Sequence, residues 1–343
     1  MRHIRYTFSH SFTDYYLAAG LSLLKVIVDI QKAIFITDEN IYNLYKKKFS
    51  SWNTIVIRAG ENYKVQASVD SIIAQLIERE ADRKTTLVGI GGGIITDITG
   101  FVASVFMRGV PFGFVPTTLL AMVDASIGGK NGIDVGVYKN MVGIIRQPSF
   151  ILHDLLFLNT LPQPEWENGF AEIIKHASIK DPSMFRQIEK NSIKKYQAGK
   201  KSACDLIERN VILKTKLVQR DEFETGNRKL LNFGHTLGHA LEKLYKLSHG
   251  HAISIGMAVA GLISEQLTGF KESARLIALL DKYGLPTAFE FDSKKVFAVL
   301  KMDKKKTGYS MNYVLLNKIG QAVVKDIPID RLEKWIDSIA SAR

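Results

Sequence analysis

Hydrophobic residues follow different patterns in the two halves of the chain. The first half contains short apolar runs rich in β-branched residues, at Ala33–Thr37, Thr54–Ile57, Thr86–Ile90 and Phe112–Val115. Such runs are typical of buried parallel strands. Between the second and third runs, apolar residues from Val65 to Ile77 recur at helical spacing. This alternation predicts a mostly parallel sheet with helices on its faces.

The second half is dominated by long segments of helical periodicity, from Glu165 onward. Strand patterns return only at Asn312–Leu316 and Ala322–Val324, which we expect to form a hairpin around Gly320. The change of pattern predicts that the second half is mainly α-helical.

The length of the chain and two prolines near its middle indicate two domains. A chain of 343 residues usually folds as two domains, and two prolines in Leu161–Pro164 interrupt the pattern near the middle. We therefore predict an α/β, Rossmann-like domain over residues 1–160 and a mainly α-helical domain over residues 161–343. Hydrophobic residues make up 46% and charged residues 23%, which is ordinary for a soluble enzyme.

Three features favour a cytoplasmic protein. The sequence has no apolar stretch of about 18 residues, the length that a membrane span needs. Its first ten residues lack the apolar core of a secretory signal. Cys204 is the single cysteine and cannot form an intrachain disulfide, which suits a reducing compartment.

The formal net charge of +12 raises the question of nucleic-acid binding. The basic runs at Lys46–Lys48, Lys194–Lys195 and Lys304–Lys306 are short and scattered, and no aromatic residues interleave with them as a base-stacking surface would need. We expect no nucleic-acid and no membrane partner. The positive balance instead suits a site for small anions.

Glycines mark a candidate phosphate site. The run Gly91–Gly93 follows the third predicted strand directly and precedes a predicted helix from Ile94 to about Met107. Glycines at such a turn let backbone N–H groups approach a phosphate, but the pattern is not the dinucleotide fingerprint, and a simple tight turn is equally compatible. A second glycine loop, Gly128–Lys130, follows the next strand. Two such loops on adjacent strands favour a nucleotide site.

Two amphipathic segments carry candidate metal ligands. In Phe170–Ala177 the polar face holds Glu172, Lys175 and His176, for which a solvated stripe is the simplest interpretation. In Arg228–Leu244 the polar face carries His235 and His239 one helical turn apart, a spacing that can chelate a divalent metal; the other polar residues of this face are Arg228, Asn232 and Glu242. Gly234 and Gly238 flank the apolar stripe and suggest close approach of another element.

Further histidines open the next predicted helix, at His249 and His251. The positive end of the helix dipole favours a neutral imidazole, which is the form that binds metal. One glutamate with two histidines is an established catalytic zinc set. The spacing does not choose which two of His235, His239, His249 and His251 would join Glu172.

These residues lie in motifs that together resemble the 3-dehydroquinate synthases over nearly the whole chain. The motifs, in order, are GENYK (Gly60–Lys64), GGGIITDITGFVASVFMRG (Gly91–Gly109), VPTTLLAMVDASIGGK (Val115–Lys130), KN (Lys139–Asn140), GFAEIIKHA (Gly169–Ala177), DEFETGNRKLLNFGHTLGHALE (Asp221–Glu242), HGHAISIGM (His249–Met257) and DKK (Asp303–Lys305). Each motif alone is modest, but their order and spacing together are specific.

The resemblance implies a dehydroquinate synthase-like fold, with a nucleotide-binding domain, a helical domain, a site in the cleft between them, and a homodimer. It implies a phosphate-eliminating lyase that converts 3-deoxy-D-arabino-heptulosonate 7-phosphate to 3-dehydroquinate in the shikimate route to aromatic amino acids. The expected cofactors are NAD, which is regenerated in each turnover, and one divalent metal, zinc or cobalt.

The resemblance also implies roles for individual residues. The metal ligands would be Glu172, His235 and His249. The substrate would contact Arg108, Asp124, Lys130, Asn140, Lys175, Lys214, Arg228, Asn232, His239, Lys304 and Lys305, with Arg108 reaching in from a partner subunit. NAD would contact Asp38, Glu61, Lys64, Gly92, Gly93, Asp97, Thr117, Thr118, Lys130, Lys139 and Thr160.

The chain departs from the usual family pattern at Thr96, Tyr138 and His251, none of which removes an expected catalytic group. The closest alternatives are sister sugar-phosphate cyclases of the 2-deoxy-scyllo-inosose or 2-epi-5-epi-valiolone synthase type, whose substrates lack a carboxylate. Lys214, Arg228 and the lysines after Asp303 favour a substrate that carries one. A metal-dependent polyol dehydrogenase and a non-catalytic paralogue are the remaining alternatives.

Overall fold

The computed structural model of this chain describes residues 1–136, 138–301, 306–307 and 309–341. Its strands are β1 (Arg2–Thr7), β2 (Phe12–Leu17), β3 (Ala33–Asp38), β4 (Thr54–Ile57), β5 (Thr86–Gly91), β6 (Phe112–Pro116), β7 (Lys130–Val135), β8 (Tyr138–Ile145), β9 (Phe150–His153), β10 (Lys306–Thr307), β11 (Ser310–Lys318) and β12 (Gln321–Pro328). Seven of them form one sheet in the order β1-β2-β9-β6-β5-β3-β4. All of its pairings are parallel except β1 with β2.

The α-helices alternate with the strands of this sheet in the first half of the chain and form most of the second half. They are α1 (Leu24–Ile27), α2 (Glu39–Leu44), α3 (Lys46–Phe49), α4 (Gln66–Glu78), α5 (Gly93–Val105), α6 (Gln163–Lys180), α7 (Pro182–Glu189), α8 (Ile193–Ala198), α9 (Lys200–Arg220), α10 (His235–Tyr245), α11 (His249–Thr268), α12 (Ser273–Lys282), α13 (Ser293–Lys301) and α14 (Ile329–Ser341). No helix in the described part of the chain has the length and hydropathy that crossing a membrane requires.

The four strands predicted from the first half and the predicted late hairpin are confirmed. The hairpin is β11 and β12, with Gly320 in the turn at φ +88°. The sequence pattern did not indicate β1, β2 or β9, nor the antiparallel pair β7–β8. The predicted fold class, a mostly parallel sheet followed by a mainly helical part, is confirmed.

The chain forms two compact units that are not continuous in sequence. Unit 1 contains residues 1–162 and 200–223, and unit 2 contains residues 163–199 and 224–343. The predicted boundary at 160/161 placed helix α9 with the second part, whereas α9 packs within unit 1. There, Lys214 donates to the Asp124 carbonyl (2.7 Å) and Gln219 donates to the Thr7 carbonyl (2.8 Å). The assignment of functions to the two domains stays a prediction.

In unit 1, helix α5 lies directly against the strand pair β7–β8. A Cβ atom at Gly100 of α5 would lie 1.9 Å from the side-chain oxygen of Asn131 on β7, so only glycine fits there. Asn131 donates to the carbonyls of Gly129 and Arg146, and these bonds hold the open end of the strand pair, where β7 begins and β8 ends. A Cβ at Gly93, the first residue of α5, would lie 3.2 Å from the Cβ of Ala125, so the connection between β6 and β7 passes close to the start of α5.

In unit 2, helices α10 and α11 approach each other closely. A Cβ at Gly256 of α11 would lie 1.9 Å from the carbonyl oxygen of Gly234, and a Cβ at Gly238 would lie 2.8 Å from Ile253. The close approach expected at Gly234 and Gly238 is confirmed. The continuous helix predicted over Arg228–Leu244 is wrong, because Gly234 adopts a left-handed conformation (φ +79°) and ends a 3₁₀ turn over Asn227–Asn232 before α10 begins.

Candidate functional site

Three polar side chains converge in unit 2, each from a different helix. Glu172 lies on α6, and His235 and His249 are the first residues of α10 and α11. The Oε1 atom of Glu172 is 3.1 Å from Nε2 of His249 and 3.5 Å from Nε2 of His235. Three ligands bound to zinc at about 2.1 Å in tetrahedral geometry have donor atoms about 3.4 Å apart. The three side chains therefore have the spacing and the chemistry of a divalent-metal site.

Helix α6 is buried on both faces, so the solvated stripe expected for Glu172, Lys175 and His176 is wrong. Their exposed fractions are 0%, 1% and 0%. Lys175 forms an ion pair with Oε2 of Glu172. Because a carboxylate in the interior is costly without partners, this ion pair and the two imidazoles that face Oε1 together account for its burial.

The second ring nitrogen of each histidine also faces an acceptor. Nδ1 of His235 lies 3.1 Å from the Phe233 carbonyl, and Nδ1 of His249 lies 3.6 Å from Oε2 of Glu242. Burial acts to lower the pKa of His249, but the nearby carboxylates of Glu172 and Glu242 outweigh it and raise the pKa to about 10. Without metal, a proton on His249 thus supplies the positive charge between two carboxylates; a bound metal would replace it.

The remaining two histidines do not join this group. The ring of His239 is centred 5.1 Å from that of His235 and 6.4 Å from that of His249, so it borders the triad. Nε2 of His251 lies 3.7 Å from Oε2 of Glu167 instead. Of the pairs that the spacing left open, the structure brings His235 and His249 together with Glu172.

Other residues of unit 2 that the resemblance assigned to substrate lie just before α10. Arg228 is buried, with an exposed fraction of 2%, in the 3₁₀ turn Asn227–Asn232. Asn232 in the same turn donates to Glu224 at 2.5 Å. Lys304 and Lys305 lie outside the described residues, and their contact with the substrate stays a prediction.

In unit 1, predicted NAD contacts lie at the carboxyl ends of three adjacent parallel strands. Asp38 ends β3 and caps α2, accepting from the Ile41 N–H at 3.0 Å. Gly92 and Gly93 follow β5 and begin α5, while Thr117 and Thr118 follow β6. A Cβ at Gly92 would lie 3.1 Å from the Thr118 methyl group. Glycine therefore leaves room beside a helix N-terminus, where a pyrophosphate binds in folds of this class.

A buried ion pair lies at one side of this strand edge. Lys64 donates to Asp97 of α5 at 2.5 Å and to the Asn140 side chain at 2.6 Å. Burial acts to lower the pKa of Lys64, but the carboxylates of Asp97 and Glu61 help to outweigh it and raise the pKa. Lys64 therefore keeps its charge. Glu61 also pairs with Lys139 at 3.0 Å, so four of the predicted NAD contacts form one connected group.

The other predicted residues of unit 1 lie on the loops and ends of these elements. Lys214 pairs with the Asp124 carboxylate at 2.9 Å. The Thr160 hydroxyl bonds the Tyr45 hydroxyl at 2.8 Å. Lys130 begins β7. Arg108 is exposed and has a left-handed backbone (φ +66°).

Two of the three departures from the family pattern also lie in unit 1. Thr96 bonds the Gly93 carbonyl within α5 at 2.9 Å, and Tyr138 begins β8 with 41% of its surface exposed. Neither residue displaces one of the predicted contacts.

Two neighbours of the unit 2 triad were not assigned to the site from the sequence. Asn168 of α6 accepts from the Gly250 N–H at 3.0 Å, and Glu242 faces His249. The signals were present but weak: Asn168 lies one helical turn before Glu172, and Glu242 shares the polar face of α10 with both of its histidines.

Comparisons with known proteins agree with this architecture. The family model described as 3-dehydroquinate synthase N-terminal matches residues 54–168, and the one described as 3-dehydroquinate synthase C-terminal matches residues 169–306. The 3-dehydroquinate synthase of Pyrococcus abyssi is 41% identical over 287 residues, which are 83% of this chain and 85% of the relative.

Two solved structures have a similar fold. The 2-epi-5-epi-valiolone synthase of Streptomyces hygroscopicus, solved with NAD⁺ and Zn²⁺, is 26% identical with a TM-score of 0.87 and covers 100% of both chains. A 2-deoxy-scyllo-inosose synthase complexed with carbaglucose-6-phosphate, NAD⁺ and Co²⁺ is 22% identical with a TM-score of 0.85 and covers 98% of this chain and 100% of that chain.

Proposed function

We propose, from the fact that this chain belongs to the 3-dehydroquinate synthase family, that it converts 3-deoxy-D-arabino-heptulosonate 7-phosphate to 3-dehydroquinate and phosphate. Its proposed cofactors are NAD and one divalent metal, zinc or cobalt, and its class is that of a phosphate-eliminating carbon–oxygen lyase. The observation that carries the proposal is the convergence of Glu172, His235 and His249 from three helices.

Each cofactor has a defined chemical task in this proposal. A metal held by Glu172, His235 and His249 would polarise a substrate oxygen and stabilise negative charge that develops beside it. NAD, held at the strand ends of unit 1, would oxidise a substrate hydroxyl to a carbonyl. The carbonyl would make the proton on the neighbouring carbon acidic, which would allow phosphate to leave, and the carbonyl would afterwards be reduced back to the hydroxyl.

The chain's own residues bind and orient the anionic groups of the substrate. In unit 2, Arg228 and Lys175 are buried cations, and cations of this kind bind carboxylate and phosphate oxygens strongly. His239, at the border of the triad, would bind the phosphate group of the substrate. In unit 1, Lys214 is held by Asp124 and would meet the carboxylate, while Lys130, Asn140 and Arg108 would bind phosphate oxygens.

A homodimer is part of the proposal, and strand β8 supports it. Met141, Val142 and Ile144 of β8 have exposed fractions of 52%, 40% and 42%, which is unusual for apolar residues of one strand. Within the described residues β8 pairs only with β7, so it is an edge strand, and edge strands can add a strand from another chain. A second copy would cover both. Light scattering of the purified chain tests this: a monomer at micromolar concentration would contradict it.

A cytoplasmic location is also proposed. It agrees with a single cysteine, Cys204, which has no second cysteine in the chain to pair with and is compatible with a reducing compartment.

The decisive experiment measures phosphate release from three sugar phosphates: the heptulosonate phosphate, glucose 6-phosphate and sedoheptulose 7-phosphate. We expect release from the first alone, without net NADH, abolished by a chelator and restored by zinc or cobalt. Release from one of the others would assign a sister cyclase activity. Steady accumulation of NADH would assign a polyol dehydrogenase, and no turnover with any of the three would contradict the proposal.

A further inference from the structure

The two histidines of the triad present the same nitrogen to Glu172 but are held in different ways. Both direct Nε2 toward Oε1 of Glu172. The Nδ1 atom of His235 faces the carbonyl of Phe233, two residues away on the same chain segment. The Nδ1 atom of His249 faces Oε2 of Glu242, which belongs to a different helix. Glu242 therefore links α10 to the first residue of α11.

The backbone of His249 is fixed independently of Glu242. The next residue, Gly250, donates its N–H to Oδ1 of Asn168 at 3.0 Å, and a Cβ at Gly250 would lie 2.6 Å from Cα of Asn168. Ser248 caps the same helix start by accepting from the His251 N–H. With the backbone held from two sides, the remaining freedom of His249 is rotation of its imidazole.

Packing restrains this rotation less for His249 than for His235. The side chain of His249 is 28% exposed, whereas that of His235 is 11% exposed. The Glu242 side chain is only 8% exposed, so its carboxylate is itself well ordered by its surroundings. A buried carboxylate next to a half-buried imidazole can supply the restraint that packing does not.

We propose that Glu242 is a positioning residue for the metal site. Its Oε2 atom lies 3.6 Å from Nδ1 of His249, near enough for the carboxylate to favour the proton on that nitrogen and to leave the Nε2 lone pair for a divalent cation. Metal-binding histidines commonly donate their second N–H to a carboxylate, and this partner sets both the tautomer and the ring orientation. The inference rests on the proposed function only in that the triad binds a divalent metal.

The test compares two substitutions of Glu242 in the full chain. Glu242→Leu removes the acceptor, and we expect the dissociation constant for Zn²⁺, measured by competition with a chromophoric chelator, to rise about 10- to 100-fold. Glu242→Gln keeps a neutral acceptor and should recover most of this loss. In Co²⁺-loaded protein, the visible ligand-field bands should shift in Glu242→Leu, because a loosely held imidazole changes the geometry around the ion.

Glu189→Leu is the matched control. Glu189 is a partly buried carboxylate of unit 2 that bonds Arg275 at 2.6 Å, so its loss should lower stability without changing Zn²⁺ affinity or the Co²⁺ bands. Equal losses of affinity in Glu242→Leu and Glu189→Leu would overturn the proposal, as would wild-type affinity in Glu242→Leu.

If Glu242→Leu does not fold, a second measurement tests the proposal. It compares the nitrogen-15 NMR spectra of the histidine side chains in Zn²⁺-loaded wild type and Zn²⁺-loaded Glu242→Gln. The Nδ1–H signal of His249 should move on exchange of carboxylate for amide, while that of His235 stays in place; no movement at His249 would overturn the proposal. All of these measurements omit sugar phosphate. A protein that fails the phosphate-release assay can therefore still confirm the role of Glu242, and the reverse also holds.

Discussion

The two units each hold a buried carboxylate beside a lysine, but the carboxylates differ in their other neighbours. In unit 1, Asp97 pairs with Lys64 at 2.5 Å. In unit 2, Glu172 pairs with Lys175 through one oxygen, and its other oxygen faces the imidazoles of His235 and His249. The first carboxylate meets a permanent cation, while the second also meets imidazoles, which can bind either a proton or a metal.

This difference separates a structural charge pair from a site that can exchange its cation. A lysine ammonium keeps its proton at neutral pH and coordinates no metal while it does so. An imidazole can give up a proton and offer its lone pair to a metal instead. We infer that the Lys64–Asp97 pair shapes a binding surface in unit 1, whereas the group around Glu172 is adapted to bind a cation.

Glu172→Gln should give the largest effect. The amide removes the negative charge that attracts the metal, and metal catalysis contributes several kcal/mol, so phosphate release should fall about 1000-fold or more. Zn²⁺ affinity, measured by chelator competition, should fall with it. Glu290→Gln, an exposed site in unit 2, is the control and should behave as wild type. Full turnover by Glu172→Gln would show that the group around Glu172 is not adapted to bind a catalytic cation.

Lys64→Met should have the next largest effect, but on stability. It leaves Asp97 without its cation, and breaking a buried ion pair costs about 3 to 4 kcal/mol in the free energy of unfolding. Urea titration measures this loss. The double variant Lys64→Met/Asp97→Asn should recover much of it, because no uncompensated charge remains. If Lys64→Met is as stable as wild type, the charge of Lys64 is not needed to balance that of Asp97.

His153 provides a buried ionisable group that bonds a backbone carbonyl and not a carboxylate in the described part of the chain. It is fully buried in unit 1 and bonds the Met122 carbonyl at 3.0 Å, and burial lowers its pKa from 6.5 to about 4. The folded state therefore binds fewer protons than the unfolded state between these values. Stability from this group is fully present above pH 6.5 and is lost as the pH falls toward 4, by about 3 kcal/mol.

The variant His153→Gln tests this contribution. Its free energy of unfolding should fall less between pH 6.5 and 4 than that of wild type. His10→Gln, at an exposed position, should keep the wild-type dependence. Parallel pH profiles for wild type and His153→Gln would show that the buried imidazole does not contribute.

The surface pair of unit 1 should have the smallest effect on stability. Lys139 and Glu61 are 29% and 43% exposed, and pairs of this kind contribute less than about 1 kcal/mol. Lys139→Met should therefore leave the urea midpoint almost unchanged while weakening NAD binding, measured by calorimetry. A large loss of stability would show that the Lys139–Glu61 pair stabilises the fold as the buried Lys64–Asp97 pair does, and would contradict the prediction.

Much of unit 1 could be predicted from the sequence because its site follows from strand order. Residues that follow neighbouring parallel strands meet at one edge of the sheet, so Gly92 and Thr118 are brought together by connectivity alone. The Lys64–Asp97 pair was not indicated by spacing, since 33 residues separate its members and neither position has a local pattern that marks it as buried.

The site of unit 2 was only partly predictable. The histidine spacing on α10 suggested chelation by His235 and His239, but the structure directs His235 and His249 at Glu172 and leaves His239 at the border. The polar face of α6 looked solvated from its sequence and is buried. Neither result follows from periodicity, which gives the faces of a helix but not what covers them.

The sequence by itself determined the strand–helix alternation, the glycine turns and the ordered motifs that mark the family. Those features depend on local backbone geometry and on residue type, which act over a few positions. Spacing left open which imidazoles meet Glu172, and the resemblance assigned them only by analogy; the tertiary structure brings His235 and His249 to Glu172 through the close contact of α10 with α11 at Gly234 and Gly256. Helix packing fixes distances between residues that lie far apart in the chain, and no local pattern encodes them.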